Sequence, residues 1–175
     1  MNDITSYILE QAKKILSIDS PTGFTAHAAE YVLGAYKKLG YDAKLTNKGG
    51  IFVCVNDGPD QADDPADAPI LLEAHMDTLG GMVCSINEKG RLMLSALGGM
   101  NPNNAEAENC KVYTKSGNEY DATFQLEYAS VHVNGEYSDT KRIYEMMETI
   151  LYEPVMNKED VKTLGIKKVD FVCFD

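Results

Sequence analysis

The sequence predicts an α/β layer followed by a small antiparallel β-barrel, and three observations carry that expectation. Up to residue 74 the apolar pattern runs helix, helix, strand, strand, strand, the order of an α/β unit. From Gly80 onward the texture changes to short apolar stretches separated by glycine turns, the pattern of a small barrel or sandwich. Hydrophobic residues make up 44% of the 175 and charged residues 25%, so the chain can bury a core. The boundary falls at about residue 80, dividing the chain into 1–79 and 80–175.

Ile4, Ile8, Ile15 and Leu16, with Tyr7 and Ala12, recur at helical spacing and predict an amphipathic helix over residues 4–17. A turn at Ser20-Pro21-Thr22-Gly23 follows. The second helix, over 25–39, puts Ala29, Val32, Leu33, Tyr36 and Leu39 on one face and is stopped by Gly40. Tyr41–Thr46 and Ile51–Val55 read as strands joined through Asn47-Lys48-Gly49-Gly50. Asp57–Ala68, with two prolines and five aspartates, reads as a solvated loop, since the ligand spacing of an EF-hand is absent. Pro69–Ala74 is a short apolar run that reads as a buried strand delivering His75-Met76-Asp77 at its end.

In the second region Met82–Ile86 pairs with Leu92–Ala96 across Asn87-Glu88-Lys89-Gly90. Cys110–Thr114 pairs with Tyr120–Leu126 across Lys115-Ser116-Gly117-Asn118. Ser130–Val133 alternates weakly as a strand, and Lys167–Phe174 is the last strand, with Val169, Phe171 and Cys173 on one face. Helical interruptions are expected near Asp139–Leu151 and over Lys158–Leu164, the latter capped by Asn157 with Asp160 three residues on.

Sixteen Lys and Arg against 27 Asp and Glu give a net charge of −11. That balance disfavours nucleic acid and anionic membrane as partners, because phosphate binding needs clustered cations. No run approaches the length of a membrane span, and the first residues lack the basic leader of a secretory signal, so the expected compartment is the cytoplasm. Cys54, Cys84, Cys110 and Cys173 have no Cys-x-x-Cys spacing and read as small buried hydrophobes with reduced thiols.

The candidate site is Glu73-Ala74-His75-Met76-Asp77. In open α/β sheets ligands bind beyond the carboxyl ends of strands. A histidine there faces the usual site region, and a carboxylate two residues on can accept its second ring N–H. His-x-Asp is common by chance, and a histidine merely satisfied by hydrogen bonds at a strand end is the bland alternative. His27 has no second ligand at helical spacing. His132 reads as a partly buried barrel residue. Glu106 and Glu108 read as a solvated edge.

The context of His75 adds to this. Pro69–Val83, PILLEAHMDTLGGMV, closely resembles the segment that carries the first metal-binding histidine in the tetrahedral aminopeptidases, a family that includes the glutamyl and deblocking aminopeptidases. Ser20-Pro21-Thr22-Gly23, Asn47–Val55, Gly90–Met100, Ala129–Val133 and Leu164–Asp175 resemble further parts of that family in matching order. The resemblance implies an incomplete α/β peptidase domain followed by an inserted β-barrel that serves dimerisation and assembly. It implies His75 as a ligand to one of two divalent metals, zinc or cobalt, and Asp77 as the catalytic-site carboxylate that hydrogen-bonds it. Where the family often has Glu, this sequence has Thr78.

In that family the bridging aspartate, the general-base glutamate with its metal-ligating neighbour, a further carboxylate and a final histidine lie after the inserted domain. They are therefore expected beyond Asp175. The chain is accordingly expected to be a fragment of an aminopeptidase that releases N-terminal residues from peptides. Alone it should be inactive, with metal absent or weakly bound, and self-associating because its sheet has an open edge at Ile70, Leu71 and Leu72. A stand-alone oligomerisation or regulatory module, pairing with a full-length relative, is the alternative.

Overall fold

The computed structural model describes residues 3–55 and 70–174, and the aspartate-rich loop expected over Asp57–Ala68 lies outside them. The chain divides into two compact units. One contains residues 3–20 and 24–77; the other contains Pro21–Gly23 and everything from Thr78.

The first unit holds two helices and a two-stranded sheet. Helix α1 spans Asp3–Leu16 and α2 spans Ala26–Lys38. Basic residues close both, Lys13 and Lys14 in α1 and Lys37 and Lys38 in α2, where they complement the negative end of the helix dipole. Gly40 ends α2 at φ +91°, a conformation glycine adopts without a Cβ penalty. Tyr31 of α2 donates to Gln11 of α1 at 2.7 Å, and Ala28 and Ala29 are buried. Strands β1 (Lys44–Leu45) and β2 (Ile51–Phe52) form an antiparallel hairpin, shorter than the sequence pattern suggested.

The helix expected over 4–17 is present as α1, with none of its residues buried and with Ile4, Ile8 and Leu16 exposed. One expectation for this unit is corrected. Ile70–Ala74 forms no strand, and Ile70, Leu71 and Leu72 stand 87, 75 and 89% exposed. An apolar run becomes a buried strand only when neighbours accept its backbone N–H and C=O groups, and no described strand lies beside this one.

The second unit is a closed barrel of six strands. They are β3 (Gly80–Ile86), β4 (Leu92–Leu97), β5 (Asn109–Tyr113), β6 (Glu119–Leu126), β7 (Met147–Leu151) and β8 (Phe171–Phe174). Their order around the barrel is β3-β4-β7-β6-β5-β8, every pairing antiparallel, with β8 returning to β3. Alternation sets the interior: Val112, Ala122, Phe124, Leu126, Met147 and Val172 are essentially inaccessible. The Phe124 ring packs edge-to-face on Phe174 at 5.3 Å between centroids. Gly80 has no room for a side chain, since a Cβ there would sit 2.7 Å from Pro21 and 2.8 Å from the Val172 carbonyl.

The two hairpins lie where the alternation placed them, but the last strand is shorter than expected and opposite in phase. It spans Phe171–Phe174, Val169 stands 46% exposed in the turn before it, and Val172 fills the interior in place of the expected face of Val169, Phe171 and Cys173. Helix α3 (Lys158–Thr163) carries the expected capping box: Asn157 accepts from the Glu159 and Asp160 amides, and Asp160 accepts from the Asn157 amide. Other expectations fail. Ser130–Val133 is a turn, held by Val133 and Asn134 amides donating to the Ser130 carbonyl, and His132 is exposed. Within Asp139–Leu151 the helical part is one 3-10 turn at Tyr144–Met146, after which the chain enters β7. β7 buries four of its five residues, and two of those, Glu148 and Thr149, are polar, so the sequence shows no apolar alternation that would reveal it as a strand. Cys110 and Cys173 are buried as expected, but Cys54 and Cys84 are exposed.

Entry to β8 depends on a buried carboxylate. Asp170, 1% exposed, accepts from the Lys167 amide at 2.7 Å and the Lys115 amide at 3.3 Å. Between them Val169 adopts φ +67°, a left-handed conformation that costs a β-branched residue on the order of 1–3 kcal/mol. Asp170→Ala leaves both amides without their acceptor and should destabilise the protein by roughly 2–4 kcal/mol. Urea unfolding followed by circular dichroism measures this, and a loss of under about 0.5 kcal/mol would refute the assigned role.

Candidate functional site

His75 and Asp77 lie on an extended segment after Ala74, in the first unit. The segment is tied locally, because the buried Ser20 hydroxyl donates to the Met76 carbonyl at 3.1 Å. His75 Nδ1 is 3.2 Å from Asp77 Oδ1 and 3.0 Å from the Asp77 carbonyl oxygen. With the proton on Nδ1, the imidazole donates to the Asp77 oxygens and Nε2 presents its lone pair, the arrangement of a metal-ligating histidine with its supporting carboxylate. The His75 side chain is 85% exposed.

The described residues supply this one ligand position and its support, and no group of three His, Cys, Asp or Glu side chains that could hold a metal ion. A structural or catalytic zinc needs three or four protein ligands. The residues therefore fit part of a metal site and not a whole one. His27 packs its ring against Phe24 at 6.0 Å, edge-on, and His132 lies on an exposed turn of the barrel unit. Neither belongs to a group of three or more potential metal ligands among the described residues.

The barrel unit holds two polar arrangements that the sequence reading missed. Glu106, expected on a solvated edge, is half-buried in a forked ion pair: Arg142 donates from Nε to Oε2 at 2.8 Å and from Nη2 to Oε1 at 3.2 Å. Tyr137 donates to the same carboxylate, and Arg142 also donates to the Tyr137 and Thr140 carbonyls while its guanidinium lies 4.7 Å over the Tyr137 ring. The Arg142 hydrogen bond, against a smaller cost of burial, holds the Glu106 carboxyl below its usual range. The available signal was the choice of arginine at 142 where lysine suffices for a solvated turn.

Glu148 is the second. It points away from the barrel interior yet is 5% exposed, and its Oε2 has no hydrogen-bond partner among the described residues. Burial raises its carboxyl above the usual range; Arg91 and Lys89 oppose that and Glu127 adds to it.

Comparison with known proteins extends the reading. The family profile of the M42 glutamyl aminopeptidases matches residues 52–175. A Bacillus subtilis (strain 168) protein named as an aminopeptidase, YhfE, is 36% identical over 167 residues, which are 95% of this chain and 46% of that one. Among solved structures, an aminopeptidase from the archaeon Desulfurococcus kamchatkensis superposes with a TM-score of 0.78 at 20% identity, over 97% of this chain and 43% of that one. The TET1 peptidase of Pyrococcus horikoshii, which can assemble into a tetrahedron or a large octahedral shell, gives 0.76 at 22% identity over 95% and 46%. The chain thus spans about half the length of these relatives. The two structural likenesses speak for a shared fold, and the profile speaks for descent: the chain belongs to the M42 glutamyl aminopeptidase family.

Proposed function

We propose that this chain supplies the amino-proximal part of a metal-dependent aminopeptidase: the first ligand of a two-metal site and a barrel that serves assembly. In this reading His75 gives Nε2 to one metal, and Asp77 fixes the ring by accepting at Nδ1. Zinc or cobalt, when bound in such a pair, polarises a peptide carbonyl and lowers the pKa of a water molecule. The observation that carries the proposal is the 3.2 Å contact between His75 and Asp77 in a chain of this family. Peptides with a free amino terminus are the substrate class, and the incomplete ligand set restricts catalysis to a site completed by further residues.

The 175-residue chain supplied with zinc or cobalt should therefore not hydrolyse chromogenic amino-acid amides. Turnover that survives purification and disappears in His75→Ala would contradict this. A structural zinc site in a small domain is worth about 10–16 kcal/mol with a full set of ligands, and one imidazole supplies a small part of that. Calorimetry at micromolar protein is expected to detect no stoichiometric zinc. A tight site abolished by His75→Ala would show that other side chains complete the shell.

The proposal extends to a homo-oligomer. Ile70, Leu71 and Leu72, with Ile4, Ile8 and Leu16, expose apolar surface that a stable chain normally covers. Covering each 100 Å² or so contributes about 2.5 kcal/mol, and self-association is the available route. The assemblies of the TET1 peptidase are consistent with this. Light scattering at micromolar concentration should report a dimer or larger species, and a well-folded monomer would exclude it.

A further inference from the structure

We propose that Ser20 is a positioning residue for the candidate metal site: its hydroxyl fixes the peptide between Met76 and Asp77, and through it the His75 tautomer that leaves Nε2 open to a metal. This role rests on the assignment of His75 as a metal ligand and extends it.

The sequence gives the reason for a side-chain donor at this place. Ser20 precedes Pro21, which has no backbone N–H to offer a neighbouring segment. Proline also disfavours the helical region for the residue before it, which keeps Ser20 extended. The Ser20 hydroxyl donates to the Met76 carbonyl at 3.1 Å, across 56 positions of sequence. Ser20 is 0% exposed, and Pro21 beside it is fully buried. A hydroxyl with no access to water is held to the partner it has, because a buried donor left unsatisfied is costly.

This bond acts on one side of Asp77, and a second contact acts on the other. The Met76 carbonyl belongs to the peptide that enters Asp77. Immediately after Asp77 the backbone is held again, where Thr78 bridges in parallel to Pro21. Ser20 and Met76 belong to the first unit, Pro21 and Thr78 to the second. Pro21 is itself closely seated, since a Cβ on Gly80 would come within 2.7 Å of its side chain. The dipeptide Ser20-Pro21 thus grips the backbone on both sides of Asp77.

The His75 ring depends on that grip. Its Nδ1 faces two oxygens of one residue, the Asp77 carbonyl at 3.0 Å and Oδ1 at 3.2 Å. Both positions follow the backbone torsions at 76 and 77. The His75 side chain is 85% exposed, so packing does little to hold the ring. A neutral imidazole in water favours the Nε2–H form, which has no lone pair at Nε2 for a metal. Acceptors held at Nδ1 select the other tautomer.

The test is nuclear magnetic resonance of the imidazole nitrogens in the full 175-residue chain without metal, at about pH 8.5, two units above the ordinary histidine pKa. The chain has three histidines, so His27 and His132 serve as internal references and His75→Ala assigns the His75 signals. The wild-type His75 ring is expected to be mainly Nδ1–H. Ser20→Ala should lower its ratio of Nδ1–H to Nε2–H about threefold, with His27 and His132 unchanged. Ser20→Cys, close in volume and still a weak donor, should fall between the two. Ser17→Ala removes a hydroxyl that donates to the Lys14 carbonyl in the same unit, and should leave the ratio unchanged. Equal ratios in wild type and Ser20→Ala would overturn the positioning role. An equal change in Ser17→Ala would do the same. So would Ser20 variants whose spectra lose their folded dispersion, since the hydroxyl would then serve the fold as a whole. A wild-type ring that is mainly Nε2–H would overturn the assignment of His75 as a supported ligand, and the role of Ser20 with it.

Discussion

The carboxylate of Asp170 holds two backbone amides at once, one from the turn between β5 and β6 and one from the turn that leads into β8. Those two turns must stay together for β8 to lie between β5 and β3, and without β8 the barrel has two open edges. The same side chain holds the strained backbone at Val169, whose amide then donates to the Val83 carbonyl while the Val83 amide donates to the Asp170 carbonyl. A charge that is 1% exposed is costly unless it is fully hydrogen-bonded, so this one is tolerated because backbone donors face it.

The barrel was legible where its strands alternate and its turns carry glycine. Asn87–Gly90 and Lys115–Asn118 punctuate two hairpins whose inward residues, Val83, Leu94, Val112 and Phe124, fall at the expected spacing. The capping box at Asn157 was legible because it is a local interaction between residues three apart. β7 was not, since its buried positions include Glu148 and Thr149, and a polar residue at a buried position hides the apolar alternation. Glu106 was misread for a different reason: its partner is 36 residues away, and pairing at that distance is decided by the fold. Pro69–Ala74 shows the same limit from the other side, because its apolar run carried a strand signal whose fulfilment needs neighbours that the described residues do not provide.

His75 and Asp77 illustrate how local a candidate pair can be. Two residues apart on an extended segment, they meet through their own side chains, and the Ser20 hydroxyl, far away in sequence, ties the backbone between them. Such a pair can be recognised from five letters of sequence, whereas the ligands that would complete a metal shell come from side chains brought together by folding. This is why a resemblance in segment order carried the family membership and composition carried none of it. Fold similarity to the Desulfurococcus kamchatkensis aminopeptidase and the Pyrococcus horikoshii TET1 peptidase at 20% and 22% identity is consistent with fold geometry persisting after most side chains have changed.

The strand that begins the barrel and the strand that ends it are neighbours, with Gly80 opposite Cys173. Antiparallel partners lie about 5 Å apart, so the polypeptide enters and leaves the barrel through the same doorway. A host domain interrupted at that point would see its two cut ends almost touching, and its loop-closure entropy would change little whatever the length of the excursion. The barrel is in this sense topologically neutral: it can enlarge, acquire turns such as 127–143, or carry a pocket of its own without altering the register of whatever flanks it.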